Sequence, residues 1–89
     1  MQVRGFVWSQ EVQGKVAEKH RLSRTEVEEA FHGPNRVRRV RRRTYGLYGR
    51  SEAGRYIMVL FGFRGGLAYI ASARDMEPDE RRYYRRELN

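Results

Sequence analysis

The chain has 89 residues and no cysteine, which leaves room for one domain (1–89) and excludes a disulfide framework, a thiolate metal site and a redox centre. Its longest strongly apolar run, Tyr56–Phe63, is too short to cross a bilayer and its start carries no signal-peptide pattern, so a soluble cytoplasmic protein with no membrane partner is expected. The net charge is +8, and 17 of the 19 basic residues are arginine, the better phosphate fork and base-stacking cation.

Val3–Trp8 reads as a short strand. Ser9 can cap a helix over about 10–20, in which Val12, Val16 and His20 fall four apart on one face. The next helix opens with a Ser23/Glu26 capping box, with Leu22 and Val27 placed as a hydrophobic staple. Val27, Ala30 and Phe31 give it an apolar stripe, and Gly33-Pro34 stops it, with glycine expected in the left-handed cap. From 36 to 74 the pattern is antiparallel sheet. Arg36–Gly49 is expected as one long strand bent or bulged at Gly46, followed by an Arg50–Gly54 loop and a strand over Arg55–Phe63. A tight turn at Arg64-Gly65-Gly66 then leads to the last strand, Leu67–Arg74. The Tyr56–Phe63 strand is apolar on both faces and belongs at the sheet centre. The arginine-rich strand cannot be buried on either face and belongs at an edge. Pro78 opens a final helix to about 88, with Tyr84 and Leu88 four apart. The expected fold is α+β: helices on a small twisted antiparallel sheet, in the order β-α-α-β-β-β-α. Trp8 and Tyr69 are expected in its core.

The charge is unevenly placed. Residues 1–33 and 67–89 are each neutral, whereas residues 34–66 hold nine arginines and a single acid, Glu52, and so carry the whole +8. A field that concentrated holds a polyanion at one place on the surface, and nucleic acid is the first candidate. Arg36, Arg38, Arg39, Arg41, Arg42 and Arg43 alternate across a strand and are followed by Tyr45, Tyr48 and Arg50. Arginines on phosphates beside aromatic rings under bases is a common way to hold single-stranded RNA. Two other uses of this patch stay open: protecting an edge strand from aggregation, and binding an acidic protein surface. Arg81, Arg82, Arg85 and Arg86 read as a solvated helix face partly neutralised by Glu77, Glu80 and Glu87.

Several pieces in order resemble the BrnT family, the small ribonuclease toxins of bacterial type II toxin–antitoxin pairs. They are Phe6-Val7-Trp8, Lys19-His20, Glu26-Val27-Glu28-Glu29-Ala30-Phe31, Tyr48-Gly49-Arg50, the apolar strand, Ser72-Ala73-Arg74, and Glu80-Arg81 with Tyr84. The family usually has glycine after the Lys-His pair, where this chain has Arg21, and commonly aspartate after the tryptophan, where it has Ser9. The resemblance implies a fold similar to the RelE and ParE toxins, metal-independent cleavage of RNA without a cofactor, and silencing by a cognate antitoxin that binds DNA. It leaves the oligomeric state open.

Cleaving RNA without a metal requires activating the 2′-hydroxyl, stabilising a phosphorane-like transition state and protonating the leaving 5′-oxygen. His20, within the Lys19-His20 pair at a helix C-terminus, is the preferred proton-transfer candidate; the alternative is a half-buried structural histidine. His32 reads as a surface residue paired with Glu28. Arg64, at a glycine turn where phosphate and backbone can approach closely, is the better transition-state candidate. Arg74 serves either that purpose or a tie to Asp75 or the last helix. Two histidines in no metal-ligand spacing indicate no metal site. The competing readings are a non-catalytic nucleic-acid-binding module and a protein-interaction module on the same scaffold.

Overall fold

The computed structural model describes residues 2–88. Its elements are β1 (Gly5–Val7), α1 (Gln10–His20), α2 (Arg24–His32), β2 (Arg36–Arg41), β3 (Thr44–Arg50), β4 (Tyr56–Arg64), β5 (Leu67–Asp75) and α3 (Pro78–Leu88). The strands form one sheet in the order β1-β5-β4-β3-β2. The doubly apolar β4 is therefore central and the arginine-rich β2 is an edge, as their patterns require. Pairing is antiparallel throughout except for β1, which lies parallel to β5 with Phe6 opposite Ala68.

The α+β class stands, with one strand more than expected: the order is β-α-α-β-β-β-β-α. Arg36–Gly49 is not one bent strand but a hairpin. The chain reverses at Arg42-Arg43, Arg41 pairs with Thr44, and the irregularity falls at Val40 between Arg39 and Arg41. Arg43 adopts φ +65°, the left-handed conformation that glycine or asparagine usually takes, so the turn carries no compositional mark. Gly46 lies mid-strand, opposite Arg38 and Leu60. The β4–β5 turn is the glycine pair expected, with φ +59° at Gly65 and +81° at Gly66.

Both early helices start as their caps dictate. Ser9 Oγ accepts from the Val12 N–H at 3.1 Å. Ser23 Oγ accepts from Glu26 N–H at 3.1 Å while the Glu26 carboxylate accepts from Ser23 N–H at 3.0 Å. α1 ends on Arg21 at φ +53°, whose N–H reaches Ala17 O at 3.0 Å. A left-handed cap of this kind is the position that usually favours glycine, and here arginine takes it. Gly33 departs from expectation: its backbone is extended, not left-handed. α2 is closed instead by Asn35, whose Nδ2 donates to Phe31 O at 3.0 Å and Gly33 O at 2.9 Å.

The sheet has two apolar faces. On one, Val16, Leu22, Val27 and Ala30 from the α1–α2 layer pack on Leu47, Ile57, Val59, Phe61, Ala68, Ile70 and Ala73. On the other, α3 lays Tyr84 over Tyr48, Met58 and Met76. α3 covers only part of that face, and Val40 and Tyr69 stay 51% and 42% exposed. Tyr69 is thus not a core residue: its neighbours Ala68 and Ile70 turn to the α1–α2 side and leave it on the uncovered side. Trp8 does pack against the core, half-buried, with its indole N–H on Glu28 at 2.9 Å. Glu28 is therefore committed to Trp8 and Arg24, and the His32 ring sits edge-on to Phe6 instead, 5.9 Å between centroids.

Candidate nucleic-acid interface

The arginines of the β2–β3 hairpin divide into two groups. Arg36 and Arg38 are spent on α3. Arg36 Nη2 donates to Glu87 O at 2.7 Å, and Arg38 stacks 4.5 Å from the Tyr83 ring and 5.8 Å from Tyr48. They dock the last helix onto the edge strand. Arg39, Arg41, Arg42 and Arg43 surround the hairpin tip, are exposed, and form no ion pair among the described residues.

That tip stands beside the end of β4. Arg39, Arg43 and Arg64 together line an open concavity of about 670 Å³ with Tyr45, Gly62, Phe63 and Tyr69. The hairpin tip approaches β4 closely enough that a Cβ at Gly62 would be in ordinary contact, 3.5 Å, with Arg43 O. The Tyr45 ring is steadied against Phe61, 5.8 Å between centroids. Beside it Arg4 donates its backbone N–H to Gly66 O at 2.7 Å, and its side chain lies across that glycine. No carboxylate lines this concavity. Glu52, the one acid of the basic segment, is held at the far end of β4, where its N–H bonds the Glu29 carboxylate at 3.1 Å. A groove of about 510 Å³ at that end mixes Glu29 and Glu52 with Arg50 and so has no comparable preference for an anion.

The remaining candidates lie elsewhere. Arg64 and Tyr56 are the two ends of β4, roughly 25 Å apart at about 3.3 Å per residue. His20 is at the Tyr56 end, half-buried, with Lys19 exposed beside it. Arg55 Nη2 donates to His20 O and Nη1 to Arg21 O, both at 2.7 Å, while Nε and Nη2 clamp the Asp75 carboxylate at 2.8 and 3.2 Å. The guanidinium closes the carbonyl end of α1 and pins it to the end of β5. These bonds hold the Asp75 carboxyl below its ordinary range, and Asp75 in turn raises Arg55. Arg74 is also at that end, on the α3 side, in a bidentate pair with Glu80 at 2.8 and 3.0 Å. Burial pushes the Glu80 carboxyl up, but the Arg74 hydrogen bonds, the Glu77 N–H and the charges of Arg74 and Arg38 together outweigh it and leave it low. Tyr48 lies beneath α3, its phenol raised chiefly by burial.

The structure therefore unites Arg64 with Arg39, Arg43 and Tyr45, and separates that group from His20, Lys19, Arg74, Arg36, Arg38, Tyr48 and Arg50. Three things escaped the sequence. Tyr69 was readable from its place between Ala68 and Ile70. Arg55 gave no signal, since its acceptors are mostly backbone carbonyls from a distant element. The grouping of Tyr56 with helix arginines depends on how α3 lies across the sheet. Among the described residues no three His, Asp or Glu side chains gather as a metal-holding group, and no helix is long and apolar enough to cross a membrane.

Comparison with known proteins places this geometry in a family of folds. The structure superposes on the crystal structure of the Brucella abortus ribonuclease toxin BrnT with a TM-score of 0.69, over 82% of this chain and 96% of that one, at 17% sequence identity. The fold is that of a BrnT-type toxin. No family model and no curated protein matches the sequence. The likeness is thus carried by the arrangement of strands and helices, and it runs through nearly all of the BrnT chain.

Proposed function

We propose that the protein is a metal-independent endoribonuclease toxin whose RNA-facing surface is the Arg39–Arg43–Arg64 concavity, and that it acts in the cytoplasm until a cognate DNA-binding antitoxin covers it. The observation that carries this reading is the convergence of three guanidiniums without an acidic partner beside exposed or half-exposed Tyr45 and Tyr69. Guanidiniums clamp phosphate oxygens, and the rings offer π-faces to unstacked bases. In the reaction the 2′-oxygen attacks phosphorus as its proton leaves, the P–O5′ bond breaks, and the 5′-oxygen takes up a proton. Arg64, with Arg39 and Arg43, supplies the positive charge that the phosphorane needs. Tyr45 and Tyr69 line the same concavity, and their hydroxyls are the candidates there for carrying the proton. The antitoxin fits the same surface: Val7, Val40 and Tyr69 offer apolar contacts, and acidic side chains would meet the arginines.

A second reading is favoured by the absence of histidine from the concavity: a module that binds RNA there without cutting it. The separating experiment is incubation of a long, weakly structured RNA in EDTA with wild type, Arg64→Ala and His20→Ala. Cleavage lost in Arg64→Ala and kept in His20→Ala supports the concavity as the site. Cleavage lost only in His20→Ala moves the chemistry to Lys19-His20 at the end of α1. Intact RNA with salt-sensitive binding leaves the binding module.

A further inference from the structure

A second cationic cluster lies at the other end of β4, on the α3 side. Arg50 from β3 and Arg81 and Arg85 from α3 surround the ring of Tyr56, with guanidinium carbons 4.6, 5.2 and 5.2 Å from its centroid. Nε and Nη2 of Arg85 both donate to the Tyr56 hydroxyl at 3.2 Å. Two contacts hold the cluster in shape: Tyr84 packs edge-on to Tyr56 at 5.8 Å, and Arg50 is anchored by Nε and Nη2 on Gly54 O at 3.3 and 3.2 Å. The three arginines take part in no ion pair among the described residues. Three nearby acids are used elsewhere, Asp75 on Arg55, Glu80 on Arg74 and Glu87 beside Arg86, and Glu77, one turn before Arg81, forms no ion pair with it. The α3 arginines are exposed, as expected of a solvated helix face, and of those expected to be partly neutralised Arg86 has Glu87 while Arg81 and Arg85 have no ion pair among the described residues.

We infer that Arg50, Arg81, Arg85 and the Tyr56 hydroxyl form a binding site for a phosphate monoester. Three guanidiniums against one phenol carry more positive charge than a single phosphodiester answers, whereas a monoester brings close to two negative charges and three acceptor oxygens. The cluster already favours negative charge: Arg85's hydrogen bonds, with Arg50 and Arg81 behind them, hold the Tyr56 phenol below its ordinary value. The monoester could be the terminal phosphate of an RNA or a free small phosphate. The site stands apart from the ribonuclease reading, because it lies at the opposite end of β4 from Arg64 and its test reads binding.

The probe is a short 2′-O-methyl oligonucleotide, which lacks the attacking hydroxyl and survives any cleavage, with a 5′-phosphate, a 3′-phosphate or neither. Anisotropy titrations compare wild type, Tyr56→Phe and an Arg81→Ala/Arg85→Ala double variant. Both helix positions are exposed and tolerate alanine, and melting curves verify the fold. Wild type is expected to bind one phosphorylated form about tenfold tighter than the hydroxyl form. The double variant should abolish that preference and leave hydroxyl-form binding within about twofold. A free small phosphate is the ligand if all oligonucleotides bind alike but inorganic phosphate raises the melting temperature of wild type and not of the double variant. Equal oligonucleotide affinities with no response to phosphate overturn the inference.

Discussion

Replacing Arg55 with alanine removes the tie between the end of α1 and the end of β5, and the loss can be worked out bond by bond. Two charge-assisted bonds of 2.7 Å to the His20 and Arg21 carbonyls contribute about 1 kcal/mol each, since those carbonyls otherwise lack a protein partner. The Asp75 pair and the longer Glu26 pair, at 3.5 Å, together add only about 0.5 kcal/mol, because the Asp75 side chain is 51% exposed and water screens both. The total is about 2.5 kcal/mol, or roughly 10–20 °C of melting temperature for a domain of this size. Urea unfolding followed by circular dichroism measures it. Arg55→Lys should recover less than half, since one ammonium cannot serve two carbonyls and a carboxylate together. In a double-mutant cycle with Asp75→Asn the coupling should stay below about 1 kcal/mol, with most of the Arg55→Ala loss persisting in the Asn background. A loss under about 0.5 kcal/mol, or one wholly abolished by Asp75→Asn, would refute the assignment of Arg55 as the cap of α1.

Gly49→Ala should destabilise the fold by about 1–3 kcal/mol, as its Cβ would meet Ala30 O at 2.5 Å where α2 packs on β3. Gly46→Ala should cost little in the same unfolding assay, because its nearest contact, at 3.2 Å, is the exposed and movable Val40 side chain. Arg43→Gly should be neutral or stabilising by up to about 1 kcal/mol, having relieved a left-handed non-glycine residue, while RNA affinity falls. Asp75 and Glu80 are held below ordinary values of 3.8 and 4.5. Their contribution is complete above those values and is lost as pH falls through the lower folded ones. A melting series should therefore fall off in acid below about pH 4.5, less steeply in Glu80→Gln.

Much of the scaffold is legible in local signals. The Ser23/Glu26 capping box, the glycine pair of the β4–β5 turn and the two-faced apolar pattern of Tyr56–Phe63 each specify their element within a few residues. The Arg42-Arg43 reversal is not legible, because an arginine takes the left-handed position and a run of arginine and valine without glycine, proline or asparagine reads as one strand. The parallel β1–β5 pair is invisible for a different reason: it joins residues some sixty positions apart, with only Phe6 and Val7 to announce it. The basic segment is legible as charge, but composition cannot divide its arginines. Arg36 and Arg38 belong to α3 docking, Arg55 to a helix cap and Arg50 to the Tyr56 cluster. Arg39, Arg43 and Arg64 are left in one concavity because the hairpin tip folds beside the end of β4.

The most direct measurement is the salt dependence of binding to an uncleavable single-stranded oligonucleotide, for wild type and an Arg39→Ala/Arg43→Ala/Arg64→Ala variant. Each phosphate contacted contributes about −0.7 to the slope of log affinity against log salt, so losing three contacts should flatten the slope by about 2. The account predicts that flattening with the melting temperature unchanged. An unaltered slope in a folded triple variant would contradict it and place the RNA elsewhere on the molecule.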